Sequence, residues 1–338
     1  MIGVVIVVGE SGLYCAAGDF YIDPWRPVER AVVTHAHSDH ARWGSRTYYC
    51  AAVGGGVLRE RIGADARIVG IPYGERMRLG EALVSFHPAG HILGSAQVRV
   101  EVEGEVWVVA GDFKVDDDPS CDAFESVKCD TFITESTFAL PVYRWPAPAA
   151  TFTEMNNWWR GNQSNGRTSV VFAYALGKAQ RVLCGLDPSI GPIGVHGAVD
   201  KMNQHYLHAG KPLPPTMAAN KETRDLLRGK GLIVAPGSAR NTPWLRRFAP
   251  YSLAFASGWM RVRGARRRGA FDRGFVLSDH ADWPGLLSAI RASGAKRVGV
   301  THGFTDVLAR WLREREGLDA FELPTRFVGE SLVEEDGA

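Results

Sequence analysis

The sequence predicts an α/β chain in two parts, and three observations predict it. Residues 1–136 read as a run of short β-branched or alternating segments cut by Gly, Pro and Asp. Beyond residue 168, strand-like and helix-like segments alternate, which is the pattern of a parallel sheet with covering helices. Directly after the apolar run Ala31-Val32-Val33 comes Thr34-His35-Ala36-His37-Ser38-Asp39-His40, a density of nitrogen and oxygen donors that a strand end can deliver to one point.

In chain order, strands are expected over 2–8, 13–16, 20–22, 31–34, 47–50, 75–79, 83–87, 97–102, 106–110 and 129–134. One helix falls among them at 52–62, weakened by the three glycines 54–56. So many strands with so few helices imply packed sheets with ligand-bearing loops at one end. Pro141, Pro146 and Pro148 mark a connection, and Thr151 or Thr153 is expected to cap the helix over 154–165. Strands at 168–173, 193–195 and 231–235 then alternate with helices at 178–186, 199–209 and 243–248. A third segment from about 258 holds a strand at 274–277, a helix at 284–292, a strand at 297–301 and a helix at 306–316.

The composition, with 45% hydrophobic and 22% charged residues in 338, is that of an ordinary globular protein with room for one large or two coupled domains. No stretch approaches the roughly 20 apolar residues of a membrane span, and the N-terminus lacks a basic signal-peptide flank, so a cytoplasmic location is expected. Five scattered cysteines indicate neither a disulfide framework nor a Cys-rich zinc module. A net charge of +2 does not announce a nucleic-acid partner; local clustering has to.

His35 and His37, two apart, point the same way in an extended segment and can share one ion. Asp39 and His40, past the bend, suit a second. His91 sits in Pro88-Ala89-Gly90-His91-Ile92-Leu93-Gly94-Ser95, where flanking glycines allow a tight loop that presents the ring. Asp112 ends the apolar run 106–110, and a carboxylate there can bridge two cations. His87, with no such setting, is read as structural.

In this order these motifs resemble the metallo-β-lactamase superfamily. The resemblance implies an αββα sandwich in which His35, His37 and His91 are terminal ligands of one metal. Asp39, His40 and a later histidine hold the second, with Asp112 between them, and Asp23 in Tyr21-Ile22-Asp23-Pro24 braces the histidine loop. Thr134-Glu135-Ser136-Thr137, Ser278-Asp279-His280 and Val300-Thr301-His302-Gly303 look like the motifs of the β-CASP nucleases, and residues 168–180 resemble their inserted α/β domain. The domains expected are therefore 1–140 with 258–338, and an insertion at 141–257. Residues 256–268 and 166–181 look most like the bacterial ligase-associated DNA exonucleases. That implies two divalent ions, Zn²⁺ first and Mn²⁺ as the alternative, and His302 on the second. His280, oriented by Glu135, is the general acid; Asp39 and Asp112 are counted with them as catalytic. The implied substrate is DNA, with RNA as the alternative, and the implied partners are an ATP-dependent DNA ligase and a helicase of one pathway. A small-molecule hydrolase and a scaffold that has lost its activity are the competing readings; the intact ligand set and the insertion argue against both.

Six arginines and one acid lie between Arg261 and Arg273. Guanidinium forks suit phosphate oxygens, so Arg261, Arg263, Arg266, Arg267 and Arg268 are candidate phosphate contacts, as are Lys178 with Gln180, and Ser238 and Arg240 in a Gly-Ser turn before a helix. Trp158 and Trp159 are candidates for stacking bases, against packing on a helix face.

Overall fold

The computed structural model describes residues 4–262 and 271–324. Contacts divide the chain into two compact units, one running to Arg144 and resuming at His280, the other spanning 145–279.

The first unit carries two sheets. β1 (Val7–Gly9), β2 (Gly12–Cys15), β3 (Phe20–Ile22), β4 (Arg30–Val32), β5 (Thr47–Ala51) and β6 (Ile68–Ile71) lie side by side in chain order, antiparallel to β3 and parallel from there on. The second sheet is an antiparallel meander of β7 (Arg76–Leu79), β8 (Ala82–Pro88), β9 (Ala96–Val102) and β10 (Glu105–Val109). Three parallel strands extend it: β11 (Thr131–Ser136), β18 (Arg297–Gly303) and β19 (Asp319–Glu322). Because side chains alternate across a strand, β10 and β11 serve two cores. Trp107, Val109 and Ile133 join Phe20, Ile22 and Val32 between the sheets. Val108 and Phe132 face the helices Trp283–Ser293 and Thr305–Arg315 through Leu286, Ile290, Leu308 and Leu312. The first of these helices has local reasons for its ends: the Asp282 side chain accepts the Gly285 N–H at 2.9 Å, Pro284 sits in the first turn, and Gly294 closes it at φ +71°.

The second unit is a six-stranded, wholly parallel sheet. Its order is β14 (Met217–Ala218), β13 (Ile193–Val195), β15 (Leu232–Ala235), β12 (Thr168–Phe172), β16 (Tyr251–Ala256) and β17 (Arg273–Phe275). Val171 and Val234 pack against the helices Pro148–Ser164, Lys178–Cys184 and Gly197–His208, while Phe172 and Ile233 face Leu245 and Phe248. Trp159 is fully buried here and its indole N–H donates to Lys230 O at 3.0 Å. Trp158 packs edge-on against Phe275 at 5.6 Å. Trp159 is thus part of the core, and Trp158 packs partly buried against it. A Trp159→Ala variant should lose about 3–5 kcal/mol, read by urea unfolding; a loss under about 1 kcal/mol would mean the site repacks.

Several expectations differ from what is found, and the strands Met217–Ala218, Tyr251–Ala256 and Asp319–Glu322 were not anticipated. Arg273–Phe275 pairs in parallel with β16, so the chain stays in the second unit until Asp279 instead of leaving it near 258; the first crossing follows Arg144 and not residue 140. The connecting helix starts at Pro148 with no side-chain cap. Thr151 and Thr153 lie inside it, their hydroxyls spent on Val276 O and Ala149 O. Strand β6 lay unread in Ile68–Ile71 because Gly70 interrupts it; a Cβ there would come within 2.9 Å of Ala52 Cα. Among the described residues no helix is long and apolar enough to cross a membrane.

Candidate metal centre

The chain leaving β4 is bent around Asp23. Thr34 donates its N–H to Asp23 Oδ1 at 2.8 Å and its hydroxyl to Oδ2 at 2.6 Å. The N–H groups of His40 and Ala41 then both reach His37 O, at 3.2 and 2.8 Å. That turn carries His40 back until its Nδ1 lies 2.7 Å from Asp23 Oδ2. Asp23 therefore holds the first and last residues of the histidine stretch, from a left-handed conformation (φ +45°) unusual for a non-glycine residue. Replacing it by alanine should weaken metal binding about 10–100-fold in a chelator-competition titration; unchanged affinity would deny it the bracing role.

His35 Nε2, His37 Nδ1, His91 Nε2 and an oxygen of Asp112 form one group of converging atoms. His37 Nδ1 stands 3.1 Å from His35 Nε2 and 3.0 Å from His91 Nε2. Asp112 Oδ2 is 3.5 and 3.8 Å from the same two Nε2 atoms. Donors about 2.0–2.1 Å from a tetrahedral ion lie roughly 3.3 Å apart, so the spacing suits one. The Thr34 hydroxyl, 3.1 Å from His35 Nδ1, leaves Nε2 as that ring's ligand atom. Asp39, His40 and His302 form a second group. Its decisive atom is His40 Nε2, which is buried and has no hydrogen-bond partner among the described residues. It lies 3.4 Å from Asp112 Oδ2 and 3.5 Å from Asp39 Oδ2, while its ring stacks on His302 with centroids 5.2 Å apart. A buried ring nitrogen that faces two carboxylates and makes no hydrogen bond suits a site where a cation replaces a proton, so the residues fit a metal. A single oxygen of Asp112, and not one oxygen per group, lies nearest both.

Two glycines permit these approaches. Gly111 (φ +58°) lets Asp112 pass so close to Thr34 that a Cβ would sit 2.7 Å from Thr34 Cβ, and Gly90 (φ +73°) lets the loop of His91 lie against Lys114 O. The electrostatics are those of tightly held opposite charges. Burial pushes Asp112 up, but positive charge on His40 and His280 outweighs it and holds the carboxyl well below its usual range. Burial works against a charged His40 too, yet Asp112, Asp39 and Asp23 together raise it well above the ordinary imidazole value. His35 is driven well down, first by burial and then by His40, and His302 is lowered for the same reasons. Buried His and Asp groups that could hold metal ions are thus present.

With that geometry in view, the similarities to known proteins take on meaning. No protein-family model matches the chain. It is 33% identical over 317 residues to a "Probable DNA ligase" of Opitutus terrae, an alignment covering 93% of this chain and 30% of that protein. It is 30% identical over 123 residues to "Endoribonuclease ysh-1" of Neurospora crassa, covering 36% of this chain and 14% of that protein. The relatives fit the metallo-β-lactamase/β-CASP superfamily. The chain spans less than a third of the length of either relative. A crystal structure of a protein of unknown function from Enterococcus faecalis V583 shares the fold, with a TM-score of 0.59 at 12% identity over 89% of this chain and 80% of that one.

Beside the two donor groups, the β-CASP-like motif residues Glu135 and His280 meet. His280 Nδ1 lies 2.8 and 3.0 Å from the two oxygens of Glu135, which also accepts the Phe113 N–H at 2.9 Å. Burial raises Glu135 above the normal carboxylate value even though His280 pulls the other way. The His280 ring sits 4.7 Å from that of His91.

The candidate phosphate contacts among the described residues belong to the second unit. Lys178 is fully buried, with Nζ 3.2 Å from Asp279 Oδ1 and 4.4 Å from the Tyr174 ring centroid, so its charge is spent inside and not on an open loop. Ser238 is exposed, Arg240 stacks its guanidinium 4.4 Å over Phe271, and Arg261 is exposed at the end of a 3₁₀ turn. Arg263, Arg266, Arg267 and Arg268 lie outside the described residues. Thr34 and Ser95 were not singled out from sequence. Ser95 Oγ accepts the N–H of His91 and of Ile92, at 3.1 and 3.2 Å, and so fixes the loop. Small hydroxyl residues next to motif histidines were the available signal.

Proposed function

We propose that this chain is a metal-dependent nuclease of the β-CASP type, acting as a DNA exonuclease in bacterial repair. The observation that carries the reading is the convergence of His35, His37, His91, Asp112, Asp39, His40 and His302, with a further ring, His280, backed by Glu135. When bound, a pair of divalent cations, Zn²⁺ or Mn²⁺, supplies the positive charge that acidifies water and screens a phosphodiester. The chain's own residues do the rest. Asp23 and Thr34 fix which nitrogens of His40 and His35 face the centre. Glu135 engages His280 at Nδ1, which commits Nε2 to handing a proton to the departing oxygen. Arg240, Arg261 and the arginines at 263–268 are the cations suited to a polynucleotide backbone. The ligase name of the relative aligned over 93% of the chain favours DNA and, by the same resemblance, a ligase and helicase as partners. The endoribonuclease relative favours RNA processing as the second reading.

Purified protein should be given 5′- and 3′-labelled single- and double-stranded DNA and RNA, each with Zn²⁺, Mn²⁺ or Mg²⁺. Release of mononucleotides from DNA supports the reading, and cleavage restricted to RNA replaces it with the second. Cleavage of none, beside a metal-to-protein ratio near zero, sinks both.

A further inference from the structure

We propose that the indole of Trp43 is a stacking platform for a base of a single-stranded substrate, within a few nucleotides of the bond cut. The proposal rests on the nuclease reading above. Trp43 is 76% exposed, the most exposed of the large apolar side chains among the described residues. Tryptophan is highly buried on average and is enriched where proteins make contacts, so an indole this exposed is a candidate contact surface.

The turn that carries it is held firmly from beneath. The hydroxyl of buried Tyr48 accepts the Ser45 N–H at 2.8 Å and donates to Arg42 O at 2.7 Å, clasping both ends of the turn. Ser45 Oγ accepts the Val28 N–H at 3.1 Å, and Gly44, at φ +101°, lies against Pro27. None of these bonds uses the indole. A large flat ring is thus held out on a pre-ordered turn, which lowers the entropy cost of binding to it.

Position and charge indicate what lands there. Trp43 is three residues from His40, so their Cα atoms lie within roughly 11 Å, about three nucleotides of a stacked strand. Arg26, Arg42 and Arg46 are exposed on the same two loops, and the one exposed acid there, Glu29, is paired with Arg46 at 3.1 Å. Aromatic faces beside cations are how proteins hold unpaired bases without reading their identity.

The test compares wild type, Trp43→Ala and Trp43→Phe on a 5′-labelled single-stranded oligonucleotide, with and without one abasic residue placed in turn at each position beside the cut. Stacking worth ~1–3 kcal/mol per base converts to a KM about 5- to 150-fold higher in Trp43→Ala, with kcat within threefold of wild type. Trp43→Phe should recover most of that loss. An abasic residue at the stacked position should raise KM in wild type and add nothing in Trp43→Ala. If wild type cleaves while Trp43→Ala keeps its KM within twofold, the platform is refuted and the nuclease reading stands. If Trp43→Ala instead dissolves a wild-type oligomer at unchanged KM, the indole belongs to a protein contact and the proposal is wrong. A wild type that neither binds nor cleaves any nucleic acid overturns both.

Discussion

Replacing His280 by alanine is expected to leave metal content at the wild-type level and to slow phosphodiester cleavage about 10²- to 10⁴-fold. The expectation comes from what each ring is doing. His35, His37, His40 and His91 each turn a nitrogen toward another donor of the cluster, whereas His280 engages Glu135 through Nδ1, at 2.8 Å. Removing it should take a proton donor away and leave the ion holders in place. Two measurements together decide the matter, elemental analysis of the purified variant and its single-turnover rate. Loss of metal would make His280 a ligand, which its proximity to Asp112 permits. A rate within threefold of wild type would show that the leaving oxygen obtains its proton elsewhere.

Replacing Asp112 by alanine should be harsher, emptying both donor groups and lowering cleavage by more than ~10³-fold. Its Oδ2 lies 3.4–3.8 Å from the Nε2 atoms of His35, His40 and His91, so one oxygen sits where the two groups meet. Without it, His35, His37 and His91 face one another with no carboxylate of their own group to offset a positive ion or a proton, and His40 is left with Asp39 and Asp23 alone. The check is the metal-to-protein ratio after dialysis against trace metal, beside activity at saturating Mn²⁺. A variant that kept half the wild-type metal would mean that the carboxylate is not shared. Histidine at position 302 gives an internal control, since His302→Ala should spare the first group and weaken the second only.

What could be read from the sequence was what is local. His35, His37, Asp39 and His40 sit within six residues after a strand, and the apolar run that buries Trp107, Val108 and Val109 in β10 is plain in its residues. The glycines flanking His91 also pointed to a tight loop that presents its ring. Less legible was anything that depends on a distant partner. Lys178 follows a glycine at a helix start and so reads like a phosphate grip, but Asp279, about a hundred residues on, occupies its amine. Trp158 and Trp159 look like a stacking pair until Phe275 and the Lys230 carbonyl claim them. The boundary near 258 rested on the same kind of gap: a strand was visible at 274–277, but only β16 could say which sheet it joins. Trp43 was passed over because a lone tryptophan in a turn carries no pattern; its exposure does.

The carboxylate of Glu135 serves the backbone amide next to Asp112 on one side and the His280 ring on the other. Both offer it N–H groups, so it must be all acceptor. A glutamine of the same shape would turn an NH₂ toward one of them: the Phe113 N–H cannot accept it, and His280 accepts it only with Nδ1 deprotonated, which reverses the ring's tautomer. One side chain thus sets both the place of the loop that bears Asp112 and the nitrogen of the His280 ring that carries the proton.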